Sequence, residues 1–141
     1  MHKTHRLSRL ASALGVALSL TLLGGAALAA DLKLSGDNEV PPVKTAAAGS
    51  GTITVAYDGM LAGSVKTTGV TGNAAHIHMG AKGSNGPVII TLTQGADGVW
   101  SVPPGTKLTA EQLKSFKAGN LYVNVHSEAN KGGEIRDQIA P

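Results

Sequence analysis

The sequence contains no cysteine. A disulfide framework, a lipid-modified N-terminal cysteine and thiolate metal ligands are therefore excluded, and packing and backbone pairing must supply the stability. Aromatic residues are scarce, with one Trp, one Phe and two Tyr in 141 residues. No basic run interleaved with aromatics occurs, so the usual footprint of a nucleic-acid surface is missing. The formal charge of +3 matches the three basic residues Lys3, Arg6 and Arg9 near the N-terminus, and the rest of the chain is balanced. Without a net positive field, nucleic-acid binding is not expected. After residue 30 no apolar run is long enough to span a bilayer.

What the N-terminus does contain is a basic stretch to Arg9, an uncharged run from Leu10 to Leu23, and small residues at Ala26-Ala27-Leu28-Ala29-Ala30. That order reads as a secretory signal peptide over residues 1–29, cut after Ala29 or Ala30. The remaining 30–141 suffices for one domain and leaves no room for a second. The expected location is extracytoplasmic, secreted or periplasmic, with no membrane span after cleavage.

Sixteen of the nineteen glycines follow the leader and punctuate short runs rich in Val, Ile, Thr and Tyr. Such spacing predicts an all-β fold, an antiparallel sandwich or small barrel. Expected strands are Leu32–Leu34, Gly51–Asp58, Met60–Lys66, Ala75–Met79, Val88–Thr93, Val99–Val102, Asn120–Ser127 and Glu134–Ile139. Asp58-Gly59 marks a tight turn between two of them. One helix is expected at about Ala110–Ala118. Thr109 and Gln112 are spaced as a capping box, Leu108 and Leu113 as a hydrophobic staple, and Gly119 suits a left-handed C-terminal cap. Leu113 and Phe116 share the face that docks on the strands.

Only three histidines follow the leader: His76 and His78 in His-Ile-His, and His126 closing Tyr-Val-Asn-Val-His. Alternation sends His76 and His78 to one face of a strand and Ile77 to the other. In the later run Leu121, Val123 and Val125 form an apolar row, opposite a polar row of Tyr122, Asn124 and His126. That polar row has the pattern of a solvent-facing side. If it lies beside the His-Ile-His strand, three neutral imidazoles converge with a coordination position left open. Imidazole suits copper, zinc, nickel and iron; the Irving-Williams order and an oxidising compartment favour copper, with zinc the alternative. The competing reading is three structural histidines bonded to backbone carbonyls or to each other.

Met79 falls on the Ile77 face and reads as core rather than as a thioether ligand. Glu128 and Glu134 flank His126 and read as solvated acids, with an outer-carboxylate role as the alternative. Ser127 adjoins His126 but faces the opposite way, so no nucleophile and base pair is implied. Lys82-Gly83-Ser84-Asn85-Gly86-Pro87 lacks the Lys-Ser/Thr ending and following helix of a phosphate-binding loop and reads as a turn. Glu39-Val40-Pro41-Pro42 reads as a rigid lead-in to an edge strand, with Glu39 a candidate partner for Arg136.

Three separated motifs carry a family resemblance: Leu34 to Pro42 (LSGDNEVPP), Ala75 to Gly80 (AHIHMG) with Asn85 to Val88 (NGPV), and Tyr122 to Ser127 (YVNVHS) with Gly133 to Arg136 (GEIR). In this order, over nearly all of the chain after the leader, they resemble the CHRD domain, named after its repeats in chordin. The resemblance implies an immunoglobulin-like or barrel-like β fold and an extracytoplasmic setting, and it brings no established enzyme activity with it. Lys131 stands where the family commonly has Pro, and Asp137 where it commonly has Gly. A weaker similarity is to the copper half of Cu/Zn superoxide dismutases, which use His-x-His and a late-strand histidine. The bridging histidine, the zinc loop and the disulfide of those enzymes have no counterpart here.

The reading that follows is a non-enzymatic CHRD binding module holding copper through His76, His78 and His126, with Asn124 orienting from the same strand face. Two alternatives stand beside it. One is a superoxide dismutase-like copper redox enzyme; the other is a structural or adhesive module of the envelope or matrix without metal. The sequence names no protein partner.

Overall fold

A computed structural model describes residues 26–141. Among these residues nine strands and one α-helix follow in order, with a short 3-10 helix at Gly36–Asn38 after the first strand: β1 Leu28–Ser35, β2 Ala48–Val55, β3 Leu61–Thr68, β4 Gly72–Met79, β5 Val88–Thr91, β6 Thr93–Gln94, β7 Val99–Ser101, α1 Ala110–Lys117, β8 Leu121–Ser127 and β9 Ile135–Ile139. All strand pairs are antiparallel, in the order β5-β4-β8-β9-β1-β2-β3-β7-β6. The two outermost strands, β5 and β6, are consecutive in the chain and separated only by Leu92. Leu92 still donates its N–H to Ala75 O at 2.9 Å, so the chain passes from one end of the sheet to the other and nearly closes a barrel. The expected single strand Val88–Thr93 is thus split. Its residues serve both ends of one sheet, which leaves little free edge.

Inside the barrel lies one apolar core. Ile53, Ala75, Ile77, Phe116, Leu121, Val123, Val125, Ile135 and Ile139 are all fully buried. The strand periodicity produces this: Ala75 and Ile77 from β4 meet Leu121, Val123 and Val125 from β8, and Met79 packs against the same cluster. Burying each such aliphatic side chain contributes roughly 1.5–3 kcal/mol. Helix α1 closes the core through Phe116, with Leu113 packed beside it. It is held at its start by both bonds of the Thr109–Gln112 capping box, 3.2 and 2.9 Å. Gly119 ends it at φ +74°, a left-handed conformation that a side chain disfavours.

Residues 1–25 of the signal peptide expected over 1–29 lie outside the described residues. Strand β1 begins within the segment expected to be removed: Leu28 and Ala29 pair with Val55 and Thr54, and the next residue, Ala30, pairs with Ile53 and is buried. Among the described residues no helix is long and apolar enough to cross a membrane.

Two expectations about exposed segments need correction. Glu39-Val40-Pro41-Pro42 does not lead into an edge strand: β2 lies between β1 and β3, and the Pro segment is a loop whose Glu39 is buried on the outer face of the sheet. The polar row of β8 is not open to solvent either, since Tyr122 and Asn124 are each 1% exposed. Loops carrying Glu39, Gly86 and Gly133 fold over it, which strand alternation alone could not reveal.

Candidate metal centre

Strand β4 pairs with β8 so that His76 lies opposite Asn124, His78 opposite Tyr122, and Ala74 opposite His126. The three histidines therefore come from one sheet face, with His126 diagonal to His76. One nitrogen of each lies within 4.8 Å of the other two. His76 Nδ1 and His126 Nε2 are 3.0 Å apart.

Two of the three rings have their tautomer set by backbone carbonyls. His78 Nδ1–H donates to Gly86 O at 2.9 Å and His126 Nδ1–H to Lys131 O at 2.9 Å. Each ring then presents a lone pair at Nε2. With His126 Nε2 an acceptor, the 3.0 Å contact is a hydrogen bond donated by His76 Nδ1–H. His78 Nε2 has no partner: it is one of two buried polar side-chain atoms left unbonded among the described residues, the other being Asn124 Oδ1. An unpaired buried acceptor costs about 1–3 kcal/mol and calls for an explanation.

The surroundings of His76 and His78 favour their neutral forms. Burial lowers the pKa of His76, and the neighbouring His126 and His78 lower it further. For His78 burial again dominates; its bond to Gly86 opposes the shift, while His126 and Arg136 add to it. Neutral imidazole is the form that ligates a metal.

Beneath the histidines runs a second set of contacts. The Tyr122 ring stacks on His78, with centroids 4.7 Å apart and planes 6° from parallel. On its other side Tyr122 meets the Arg136 guanidinium, 4.2 Å from the ring centroid. Arg136 bonds Glu39 Oε2 through Nε and Nη2, at 2.9 and 2.8 Å, both side chains being almost wholly buried. Burial pushes the Glu39 carboxyl up, against the pull of the adjoining guanidinium. The sequence pairing of Glu39 with Arg136 is thus present, as the base of this site.

Asn124 shares the histidine face but bonds elsewhere: its Nδ2 donates to Glu39 Oε1 and, at 3.4 Å, to Ile135 O. The structure gives it no hydrogen bond to a histidine. Glu128 is exposed and paired with Lys131, whereas Glu134, expected to be a solvated acid, is buried and accepts from Thr45 Oγ1 at 2.7 Å. Neither carboxylate joins the histidine cluster. Sequence reasoning passed over Tyr122 and Gly86. Their signal was legible only in part: Tyr122 sits two residues before Asn124 on the same face, but nothing local shows that the Lys82–Pro87 turn returns to the His-Ile-His strand.

The residue at Lys131 contributes through its carbonyl to His126 and through its side chain only to an exposed pair with Glu128. Asp137 has a structural use. Its Oδ2 accepts from Lys33 N at 2.7 Å where β1 and β9 share only the pair Ser35–Arg136.

The donor set fits a metal. One nitrogen of each ring lies within 4.8 Å of the other two, and three nitrogens at about 2.0–2.1 Å from one tetrahedral ion lie about 3.4 Å apart, so at most about 1.4 Å of movement brings them onto one ion. No curated protein and no solved structure matches the chain significantly. The model of the CHRD domain matches residues 31–139, and the chain belongs to the CHRD domain family.

Proposed function

We propose that this protein is a secreted or periplasmic, non-enzymatic CHRD module that binds copper through His76, His78 and His126. The observation that carries the reading is the buried, unpartnered Nε2 of His78, held beside two further imidazoles. A structural histidine would satisfy both nitrogens. Here the Gly86 and Lys131 carbonyls accept from the Nδ1–H groups of His78 and His126, so each ring keeps its lone pair at Nε2. Each histidine acts as a neutral nitrogen donor. For His76 to donate to an ion through Nδ1 as a neutral ring, the proton it now shares with His126 would have to pass to its own Nε2. An all-nitrogen set favours copper over zinc by the Irving-Williams order. The compartment expected from the leader supplies the oxidising conditions for Cu(II).

Isothermal titration of the metal-stripped mature protein with Cu(II) and Zn(II) tests this directly. One-to-one binding below micromolar Kd, with copper tighter, is the expected result. A His76→Ala/His78→Ala/His126→Ala variant that remains folded and binds equally well would overturn it.

The partial exposure of His76 and His126 favours one second reading, a redox enzyme of the superoxide dismutase kind, because it leaves an ion accessible to a small substrate. A copper-loaded protein that fails to cycle between Cu(II) and Cu(I) removes that reading and leaves the binding module intact.

A further inference from the structure

We infer that Arg136 is a positioning residue for His78, acting through the β4–β5 loop. This rests on the metal-binding reading above for its functional meaning, though the positioning itself concerns the metal-free protein.

Arg136 grips that loop at two consecutive residues. Its Nη1 donates to Ser84 O at 3.2 Å and its Nη2 to Asn85 Oδ1 at 2.7 Å. Asn85 Nδ2 in turn donates to Val40 O at 2.9 Å, tying the loop to the segment that carries Glu39. The next residue, Gly86, faces the site with both backbone groups. Its N–H donates to Tyr122 Oη at 3.0 Å, and its carbonyl accepts from His78 Nδ1–H at 2.9 Å. A Cβ at Gly86 would stand 1.8 Å from Met79 O, so the loop packs directly on the strand that bears His78.

Arg136 thus reaches His78 by two routes. One runs through Ser84, Asn85 and the Gly86 carbonyl and selects the tautomer. The other runs through the Tyr122 ring, sandwiched between the guanidinium and the imidazole, and sets the ring plane. A buried ion pair such as Glu39–Arg136 is weak evidence for stability, because desolvation offsets most of its attraction. Its geometric role is clearer: a planar guanidinium with fixed donor directions holds a carboxylate, a carbonyl and an amide at once. Lysine has the charge without the fork. Metal-bound histidines depend on such outer partners for tautomer and orientation, and removing one typically costs 10–100-fold in metal affinity.

The test uses Arg136→Lys, Asn85→Ala and Tyr122→Phe in the full mature chain. Arg136→Lys keeps a cation beside Glu39, Asn85→Ala removes only the loop link, and Tyr122→Phe keeps the stacked ring while deleting the acceptor for Gly86 N–H. Two readouts are taken. In the metal-free protein, nitrogen-15 shifts of His78 report which ring nitrogen carries the proton. Wild type is expected to show a single Nδ1–H tautomer, and Arg136→Lys and Asn85→Ala a mixture, with Tyr122→Phe intermediate. In the second readout, Cu(II) titration of the variants is expected to show affinity reduced by about 10–100-fold. A purely structural role would lower thermal stability without changing the tautomer. Folded variants whose His78 remains wholly Nδ1-protonated overturn the inference. Should Arg136→Lys fail to fold, Asn85→Ala and Tyr122→Phe decide it by the same criterion. If wild type binds no copper, the metal reading falls, while the tautomer measurement still judges the role of Arg136.

Discussion

The two faces of strands β4 and β8 are built from alternate residues of the same short segments, yet they are held by different forces. Inward, Ala75, Ile77, Leu121, Val123 and Val125 are buried among other aliphatic groups. Outward, His76, His78, Tyr122, Asn124 and His126 are also largely covered, but against polar partners on three loops. The inner face gains from removing area from water, a non-directional effect that tolerates changes of shape. The outer face gains only when each donor meets its acceptor, and an unmatched group there is costly. Burial alone therefore does not distinguish core from site in this barrel; directionality does.

That contrast can be broken most sharply at the ion pair. Glu39→Ala leaves the Arg136 guanidinium buried without its counter-charge, and chemical denaturation should show a loss of about 3–5 kcal/mol. Replacing both residues, as Glu39→Met/Arg136→Met, should recover much of it, because the penalty belongs to the uncompensated charge rather than to lost attraction. Equal losses in single and double variants would mean that the outer face packs like the inner one.

On the opposite side, Ile77→Ala should cost about 2–5 kcal/mol through lost burial and the cavity left behind. Molecules that remain folded should bind Cu(II) with an affinity close to that of wild type, since Ile77 points away from the histidines. A loss of affinity matching the loss of stability would show the two faces to be coupled.

The third comparison uses the ion itself. If it binds only the folded state, free Cu(II) at one hundred times Kd should stabilise wild type by about 2.7 kcal/mol in the same denaturation experiment. His78→Ala should abolish that increment, whereas Ile77→Ala should retain it on its lower baseline.

The smallest expected effect concerns Glu134, whose pKa is lowered by hydrogen bonds from Ser127 and Thr45, against burial. A carboxyl with a lowered folded-state pKa stabilises the fold above the unfolded value, near 4.3, and that contribution fades as pH falls through the folded one. Glu134→Gln should therefore cost about 1 kcal/mol at neutral pH. The gap from wild type should narrow in thermal melts below about pH 4.3. A gap that stays constant across that range would assign the effect to shape rather than charge.

Local rules made much of this legible in advance. The capping box at Thr109 and Gln112 forms because its two bonds need only residues three apart. Met79 packs against the core and His76 and His78 are co-facial because strand alternation is a property of the backbone. Failures fell where distant chain decides. Glu134 reads as a surface acid until Thr45 is brought to it from 89 positions away. Val88–Thr93 reads as one strand until closure of the sheet requires Leu92 to hand the chain from one partner to another. The turn over residues 82–87 carries no hint that its Gly86 carbonyl will meet His78, because the contact exists only once Arg136 and Tyr122 have placed the loop.

Composition and pattern by themselves determined the all-β class, the strand faces, the capped helix and the small set of side chains capable of holding a metal. These follow from backbone geometry and from the exclusion of thiolates. Tertiary structure alone decided that β8 lies beside β4, which converts two co-facial histidines into three. It also decided which nitrogen each of His78 and His126 offers, since a tautomer is selected by the acceptor nearby and not by the residue's identity. Pairing between strands distant in the chain is set by the burial of the whole core, a sum over many residues that no local window contains.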